Sequence, residues 1–369
     1  MKRRIKLFNP DVGSQEVKAV KNVLLSQFWA SGAGVGKVKE FEDSLNKYIG
    51  SDTCVALNSG TAALHLAISL YDVKGKDVLV PSLTFVTTVH SIVYNGGRPV
   101  FIDVDPETLC ISIEDLKQKL TSNAVAILPV HFGGYPCDLA SIRDIAEDRN
   151  LHIVEDAAHS CGSTFKNERI GSHSETCCFS FHPVKNLAMP GGGAITLSGV
   201  DSKSKRKTLE SRRWCGIQNR QGIYYDVAQL GWNYYMNELS AAIGLVQLAK
   251  LDKMNETRKK IAHAYSLNLQ VDHKMPYSEE CCYHLYWVRV RNRDDFIDRM
   301  NKAGIEVGLH YRPAHLMTMY RSYARAEELP NTEGLWKELV TLPMHTCLTD
   351  EEVNYIVEKS NEYSRTCDC

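Results

Sequence analysis

The sequence predicts an α/β protein: a mostly parallel central sheet with helices on both faces, plus a smaller α+β domain at the C-terminal end. Three observations carry this. Short runs that are apolar throughout, such as Asp77-Val-Leu-Val-Pro81 and Val125-Ala-Ile-Leu-Pro129, suit strands buried on both faces. Segments with helical spacing separate them, as at Ala62–Leu70, Ile113–Leu120 and Leu139–Asp148. Parallel strands require that alternation, because each crossover needs a helix's length of chain. Finally, 369 residues with 44% hydrophobic content can bury a large core and leave chain for a second domain.

In chain order, Cys54-Val-Ala-Leu57 opens the sheet, and Asn58-Ser-Gly-Thr61 turns into the first of these helical patterns. Asp77–Pro81, Pro99-Val-Phe-Ile-Asp103, Val125–Pro129 and His152-Ile-Val-Glu-Asp156 follow as strands, and Thr176–Phe181 is a further apolar run. The character changes near Asn237. Asn237–Thr257 has helical periodicity with Asn237 as its N-cap, extending through Arg258–Tyr265. A strand (His284–Val290), a helix (Asp294–Ala303) and a terminal helix (Asp350–Tyr363) complete the chain. The domains are therefore expected over residues 1–245 and 246–369.

Several function classes are set aside. The net charge of −1 gives no pull toward nucleic acid or a membrane surface. The basic run Lys203-Ser-Lys-Arg-Lys207 has no interleaved aromatics and reads as a solvated loop. No stretch approaches the ~20 apolar residues of a spanning helix. Met-Lys-Arg-Arg at the start is interrupted by Lys6, Asn9 and Asp11 before any signal-peptide core can form. The twelve cysteines form no paired CxxC, and Cys367-Asp-Cys369 is too tight for a metal, so they read as reduced thiols of a cytoplasmic protein. Ser31-Gly-Ala-Gly-Val-Gly-Lys37 fits neither nucleotide-loop pattern. His310 and His315 lack a carboxylate at helical spacing, so no metal site is expected.

Lys185 is the centre of interest, in Phe179-Ser-Phe-His-Pro-Val-Lys-Asn-Leu-Ala-Met-Pro-Gly-Gly-Gly193. A lysine just past a buried strand loses solvation, which lowers its pKa and makes it a Schiff-base nucleophile. A surface lysine in a turn is the plainer alternative. Asp156 closes its strand at the edge where open α/β sheets bind ligands, either as a ligand carboxylate or as the N-cap of a following helix. Glu155 points the other way by strand alternation. Ser59-Gly-Thr61 suits a phosphate at a helix start, although small residues are common in such turns. Phe85 could stack on a ring or pack in the core.

Taken in order, these segments resemble the DegT/StrS-type sugar aminotransferases, fold type I enzymes that use pyridoxal 5′-phosphate. The markers are Asn58-Ser-Gly-Thr-Ala-Ala-Leu-His-Leu66, Pro81-Ser-Leu-Thr-Phe-Val86, Gly96-Gly-Arg-Pro-Val-Phe-Ile-Asp-Val-Asp105, Pro129-Val-His-Phe-Gly133 and Glu155-Asp-Ala-Ala-His159. Ser180-Phe-His-Pro-Val-Lys185, Gly231-Trp-Asn-Tyr-Tyr-Met236, Ala241-Ala-Ile-Gly-Leu-Val-Gln-Leu248 and His310-Tyr-Arg-Pro313 continue the set across nearly the whole chain.

The resemblance implies roles. Lys185 bonds covalently to the cofactor and later shuttles a proton. Asp156 pairs with the pyridine nitrogen, His159 hydrogen-bonds the phenolic oxygen, and Phe85 lies over the ring. Gly60, Thr61 and Ser180 hold the phosphate, joined by Asn233 from the neighbouring subunit of a homodimer with shared active sites. The Trp29–Gly36 loop is expected near the partner's pocket. The implied reaction moves an amino group from an amino acid, glutamate, to the keto carbon of a nucleotide-linked keto-deoxysugar, with pyridoxamine 5′-phosphate as intermediate. Alternatives are a sugar dehydratase, whose branch of the family carries histidine in place of the lysine, a non-catalytic regulator, and an amino-acid lyase or desulfurase drawing on Cys177 and Cys178. Three departures stand out: Pro190-Gly-Gly-Gly193 lacks an acidic residue, Tyr235 replaces a frequent arginine, and Trp214-Cys-Gly216 replaces a frequent His-Gly.

Overall fold

The structure, a computed structural model, describes residues 4–172, 174–324 and 328–365. The first three residues and the Cys367-Asp-Cys369 tail therefore lie outside the described residues. Two helices come first, α1 (Ser14–Ser26) and α2 (Lys37–Ile49). Strands β1 (Thr53–Leu57), β2 (Asp77–Pro81), β3 (Arg98–Ile102), β4 (Ala124–Ile127) and β5 (His152–Asp156) then alternate with α3 (Gly60–Ile68), α4 (Val86–Tyr94), α5 (Ile113–Gln118) and α6 (Leu139–Arg149). A small hairpin, β6 (Thr164–Phe165) and β7 (Glu168–Arg169), leads to β8 (Thr176–Ser180) and β9 (Gly193–Leu197).

The seven strands form one sheet in the order β1-β9-β8-β5-β4-β2-β3. Neighbours from β8 through β3 are parallel, while β9 runs against both β1 and β8. A mostly parallel sheet is thus present, with one reversed strand that the sequence reading did not single out. Its strands feed two cores. Leu79 joins one apolar cluster, whereas Val78 and Val80 join the cluster on the opposite face. This is the two-sided burial that all-apolar strands predict.

Helix α7 (Ser202–Arg213) contains the basic run Lys203–Lys207, which corrects its reading as a loop. The lysines space around a helix whose apolar contact is as small as buried Leu209, so no apolar stripe advertises it. The hairpin β10 (Ile217–Gln221) and β11 (Tyr224–Val227) follows and is mostly exposed. Helix α8 (Glu238–Asn268) is capped as expected, the Asn237 side chain accepting from Ser240 N–H. Beyond it, β12 (His273–Lys274), β13 (Tyr286–Arg289), α9 (Arg293–Lys302), α10 (Pro330–Trp336), β14 (Leu339–Leu342) and α11 (Asp350–Ser364) build an antiparallel three-stranded sheet with helices. The N-terminal segment crosses to this part: Ile5 N–H donates to Gly304 O at 2.8 Å and Glu306 N–H to Ile5 O at 2.9 Å.

Candidate active site

The carboxyl ends of β1, β2, β5 and β8 carry the expected residues, so the parallel direction of these strands delivers them to one edge of the sheet. At the end of β1, Ser59 caps α3 by accepting from Ala62 N–H at 3.1 Å. The first N–H groups of a helix have no partner within it and attract anions. Gly60 lies so close to the end of β8 that a Cβ there would sit 2.7 Å from Ser180 Cβ. Gly60 and Ser180 are therefore in close contact, with Thr61 next along α3.

Asp156 ends β5 and is 4% exposed. Its Oδ2 accepts from Thr88 Oγ1 at 2.8 Å and its Oδ1 from Ala158 N–H at 3.1 Å. Residues 157–162 form turns, so Asp156 caps no helix. Burial raises its pKa, opposed by the Thr88 and Ala158 bonds and by Lys185 and His131. Glu155 points to the opposite side, where its Oε2 lies 3.0 Å from His131 Nε2, both side chains fully buried. Cys137 N–H donates to His131 Nδ1, which puts the ring hydrogen on Nε2, facing that carboxylate.

Lys185 is half-buried past β8, its backbone N–H turned back onto His182 O. Desolvation of the amine brings its pKa down to about 8, against the pull of the Asp156 carboxylate. Nζ lies 3.3 Å from Nε2 of His284 and senses the buried acid. His159, 6% exposed, has an equally defined state. Gly133, held at φ +66°, donates its N–H to His159 Nδ1 at 3.2 Å. The ring hydrogen is therefore on Nε2, which faces the Tyr311 hydroxyl at 3.0 Å. Burial, then the nearby Lys185 and His310, hold His159 neutral, well below the usual histidine range.

Phe85 is 53% exposed at the N-cap of α4, with its ring 5.7 Å from that of Tyr311. It is not a core aromatic. Asn233 has an exposed side chain, and its backbone carbonyl accepts from Asn58 Nδ2 at 3.2 Å. The Trp29–Gly36 loop packs Gly32 against the Trp214 ring, and Glu238 N–H donates to Trp29 O. Cys177 and Cys178 are buried in β8, where burial raises both thiols far above a reactive value. They offer no nucleophile.

The sequence profile of the DegT/DnrJ/EryC1/StrS aminotransferase family matches residues 10–361. The chain belongs to this family. A protein of Methanocaldococcus jannaschii, called uncharacterized protein MJ1066, is 32% identical over 370 residues, covering 95% of each chain. The putative sugar aminotransferase Spr1654 of Streptococcus pneumoniae, solved in apo, PLP and PMP forms, is similar with a TM-score of 0.93 and 29% identity over 98% of both chains. The sugar aminotransferase CalS13 of Micromonospora echinospora gives a TM-score of 0.90 at 29% identity, over 97% of this chain and 99% of that one. For this DegT/DnrJ/EryC1/StrS member the fold is accordingly that of the fold type I aminotransferases.

The site also contains residues that sequence reasoning passed over. Thr88, Tyr311 and His284 touch Asp156, His159 and Lys185 respectively. Thr88 carried a faint signal: it stands three residues after Phe85, on the first turn of the helix that follows. His284 and Tyr311 arrive from the far end of the chain, and no spacing rule connects them with residue 185.

Proposed function

We propose that this chain is a pyridoxal 5′-phosphate-dependent sugar aminotransferase that moves an amino group from an amino acid, glutamate, to the keto carbon of a nucleotide-linked keto-deoxysugar, for amino-sugar biosynthesis. One observation carries the reading: a half-buried lysine amine with a pKa near 8 faces a buried carboxylate at the carboxyl edge of a parallel sheet. When bound, the cofactor supplies an aldehyde that takes up amines and a ring that draws electrons from the adjoining carbon.

The residues fit this group. The start of α3 at Gly60 and Thr61, with Ser180 packed beside it, suits the phosphate, since the helix's first N–H groups have no partner within it. Asp156, shielded from water, would hold a proton on the ring nitrogen as a carboxylate partner. His159 offers its Nε2–H to the phenolic oxygen, and the exposed Phe85 ring supplies a flat wall. Lys185, increasingly a free base as pH rises past about 8, would take the proton from the donor's α-carbon and deliver it to the cofactor carbon that comes to bear the amine, acting as base and then acid.

A homodimer in which Asn233 reaches the partner's phosphate site belongs to the same reading. The exposed Ile223, Tyr224 and Leu230 support it, since apolar side chains that stand so far into solvent suit an interface. So does a division into a cofactor-binding portion over 1–245 and a smaller one over 246–369, each with its own sheet. Among the described residues, ten free cysteines, eight of them buried, support a reducing cytoplasmic setting. Among the described residues no helix is long and apolar enough to cross a membrane.

The test is to load the enzyme with pyridoxamine 5′-phosphate and screen nucleotide-linked keto-sugars for return of the lysine-bound cofactor's absorbance. Return with 2-keto acids but with no keto-sugar would refute the proposed acceptor.

A further inference from the structure

His284 belongs to none of the roles assigned above, yet it is the side chain that touches the reactive amine. It is 1% exposed, and its Nε2 lies 3.3 Å from Lys185 Nζ. Its ring is stacked on Phe8 (centroids 5.5 Å apart, planes 15° apart) and lies 4.6 Å from the His159 ring. The backbone is fixed as firmly: His284 N–H donates to Gly133 O at 2.9 Å, and the same Gly133 donates its N–H to His159. Asn186, next to Lys185, donates from Nδ2 to Cys282 O and to Asn255 Oδ1, each at 2.9 Å, binding the lysine loop to the 282–284 segment. Two neighbouring stretches of chain thus hold amine and imidazole in register.

The protonation state follows from the surroundings. Lys185, His159, Arg258 and His310 all face His284, and together with burial they keep it neutral. Lys185 is faced by Asp156 as well. A neutral ring that accepts at Nε2 carries its hydrogen on Nδ1, and among the described residues that atom has no hydrogen-bond partner. A buried, unpartnered polar atom is costly for a fold to keep, and apolar residues of similar size would avoid the cost. The orphaned Nδ1 is the consequence of presenting Nε2 to the lysine.

We propose that His284 is the positioning residue of Lys185: whenever the amine is not bonded to the cofactor, its hydrogen bond to Nε2 holds it within reach of the carbon whose proton it moves. The inference rests on the reading of Lys185 as the cofactor lysine. No proton passes to the imidazole; the ring only accepts a hydrogen bond. A neutral acceptor also favours the ammonium form slightly, so withdrawing it lowers the Lys185 pKa further.

The experiment compares His284→Gln with His284→Asn in the full-length enzyme loaded with pyridoxamine 5′-phosphate. Glutamine places an amide oxygen at the reach of Nε2, whereas asparagine ends at the reach of Nδ1. Carbamylation of Lys185 by cyanate, followed by peptide mass spectrometry across pH, reads the amine directly and without turnover. The expected result is a downward shift of the carbamylation midpoint by half a pH unit or more in His284→Asn. The single-turnover rate falls at least tenfold with KM little changed, and both properties are largely restored in His284→Gln. His284→Phe, which keeps the ring and the stacking on Phe8, should follow asparagine and stands in for it if that variant does not fold. An unchanged midpoint and rate in either His284→Asn or His284→Phe overturns the proposal. Absence of a borohydride-trapped pyridoxyl adduct on Lys185 in the wild type would instead overturn the underlying assignment of the lysine.

Discussion

The Thr88 hydroxyl donates a 2.8 Å hydrogen bond to Asp156 Oδ2, and its oxygen lies 2.8 Å from Thr84 Oγ1. Because Thr88 gives its hydrogen to the acid, Thr84 must give its own to Thr88. The two hydroxyls form a directed pair ending on the carboxylate proposed to face the pyridine nitrogen. Their effect is to favour the ionised form of a group that burial pushes the other way.

Thr88→Val keeps the branched shape and removes the donor. Hydrogen bonds to charged groups contribute about 1.5–3 kcal/mol, so cofactor affinity should fall by roughly 10- to 100-fold. Asp156 then holds its proton to a higher pH, and the acid limb of kcat/KM moves upward. Absorbance titration of cofactor and a pH–rate profile check both, with Thr88→Ser as the variant that retains the wild-type values. Wild-type affinity in Thr88→Val would mean that Asp156 does not face the cofactor.

Lys185 carries a stability cost that can be measured separately from catalysis. Its pKa in the folded chain is about 8, against an ordinary 10.5. Between these values the unfolded chain binds the proton and the folded chain does not, so stability rises with pH from about 8 to about 10.5. Below 8 the full penalty applies, roughly 3 kcal/mol at 1.36 kcal/mol per pH unit, and nearer about 2 kcal/mol once the residue's partial exposure is considered. Lys185→Met should therefore raise the melting temperature of the cofactor-free protein at pH 7 while abolishing turnover. The gain should shrink to nothing above pH 10.5. A variant no more stable than wild type at pH 7 would contradict a desolvated amine.

Much of this was legible in the sequence, for reasons that particular residues make plain. Val78, Leu79 and Val80 are apolar because both faces of their strand are covered, and that pattern, repeated between helices, points to a mostly parallel sheet. The reversed strand β9 has the same all-buried pattern, and burial says nothing of direction, so composition could not expose it. Helix α2 did carry a readable stripe, Val38, Phe41, Leu45 and Ile49, which the sequence reading passed over in favour of the glycines just before it. Lys185 and Asp156 stood out because a charged group beside an apolar strand conflicts with its surroundings. His284 did not. In sequence it is one more residue at the edge of a buried strand, and only the meeting of two remote segments gives it a role.

Asn186 tests how much of the site's order depends on that meeting. Asn186→Ala leaves Asn255 Oδ1 and Cys282 O without the bonds they accept, at roughly 1–3 kcal/mol for each buried group that stays unpaired. We expect a loss of about 3 kcal/mol by urea unfolding. Relaxing the lysine loop should also weaken kcat more than KM for the amino donor. A destabilised variant with wild-type kcat would separate the tether from the chemistry.

The contact of Gly60 with Ser180 allows packing and ligand binding to be told apart. Gly60→Ala introduces a Cβ 2.7 Å from Ser180 Cβ and 3.0 Å from its Oγ, closer than real side chains approach, so the start of α3 must shift away from the end of β8. Overpacking of this kind costs about 1–3 kcal/mol. Adding Ser180→Gly removes the opposing atoms, and the double variant should recover most of the lost melting temperature. Cofactor affinity should not recover with it: Ser180 is then missing from the phosphate cradle, and the α3 N–H groups alone hold the anion. Thermal unfolding and cofactor titration on the four members of the cycle give the two readouts. Recovery of both together would mean that the Ser180 hydroxyl makes no bond to phosphate and only fills space beside Gly60.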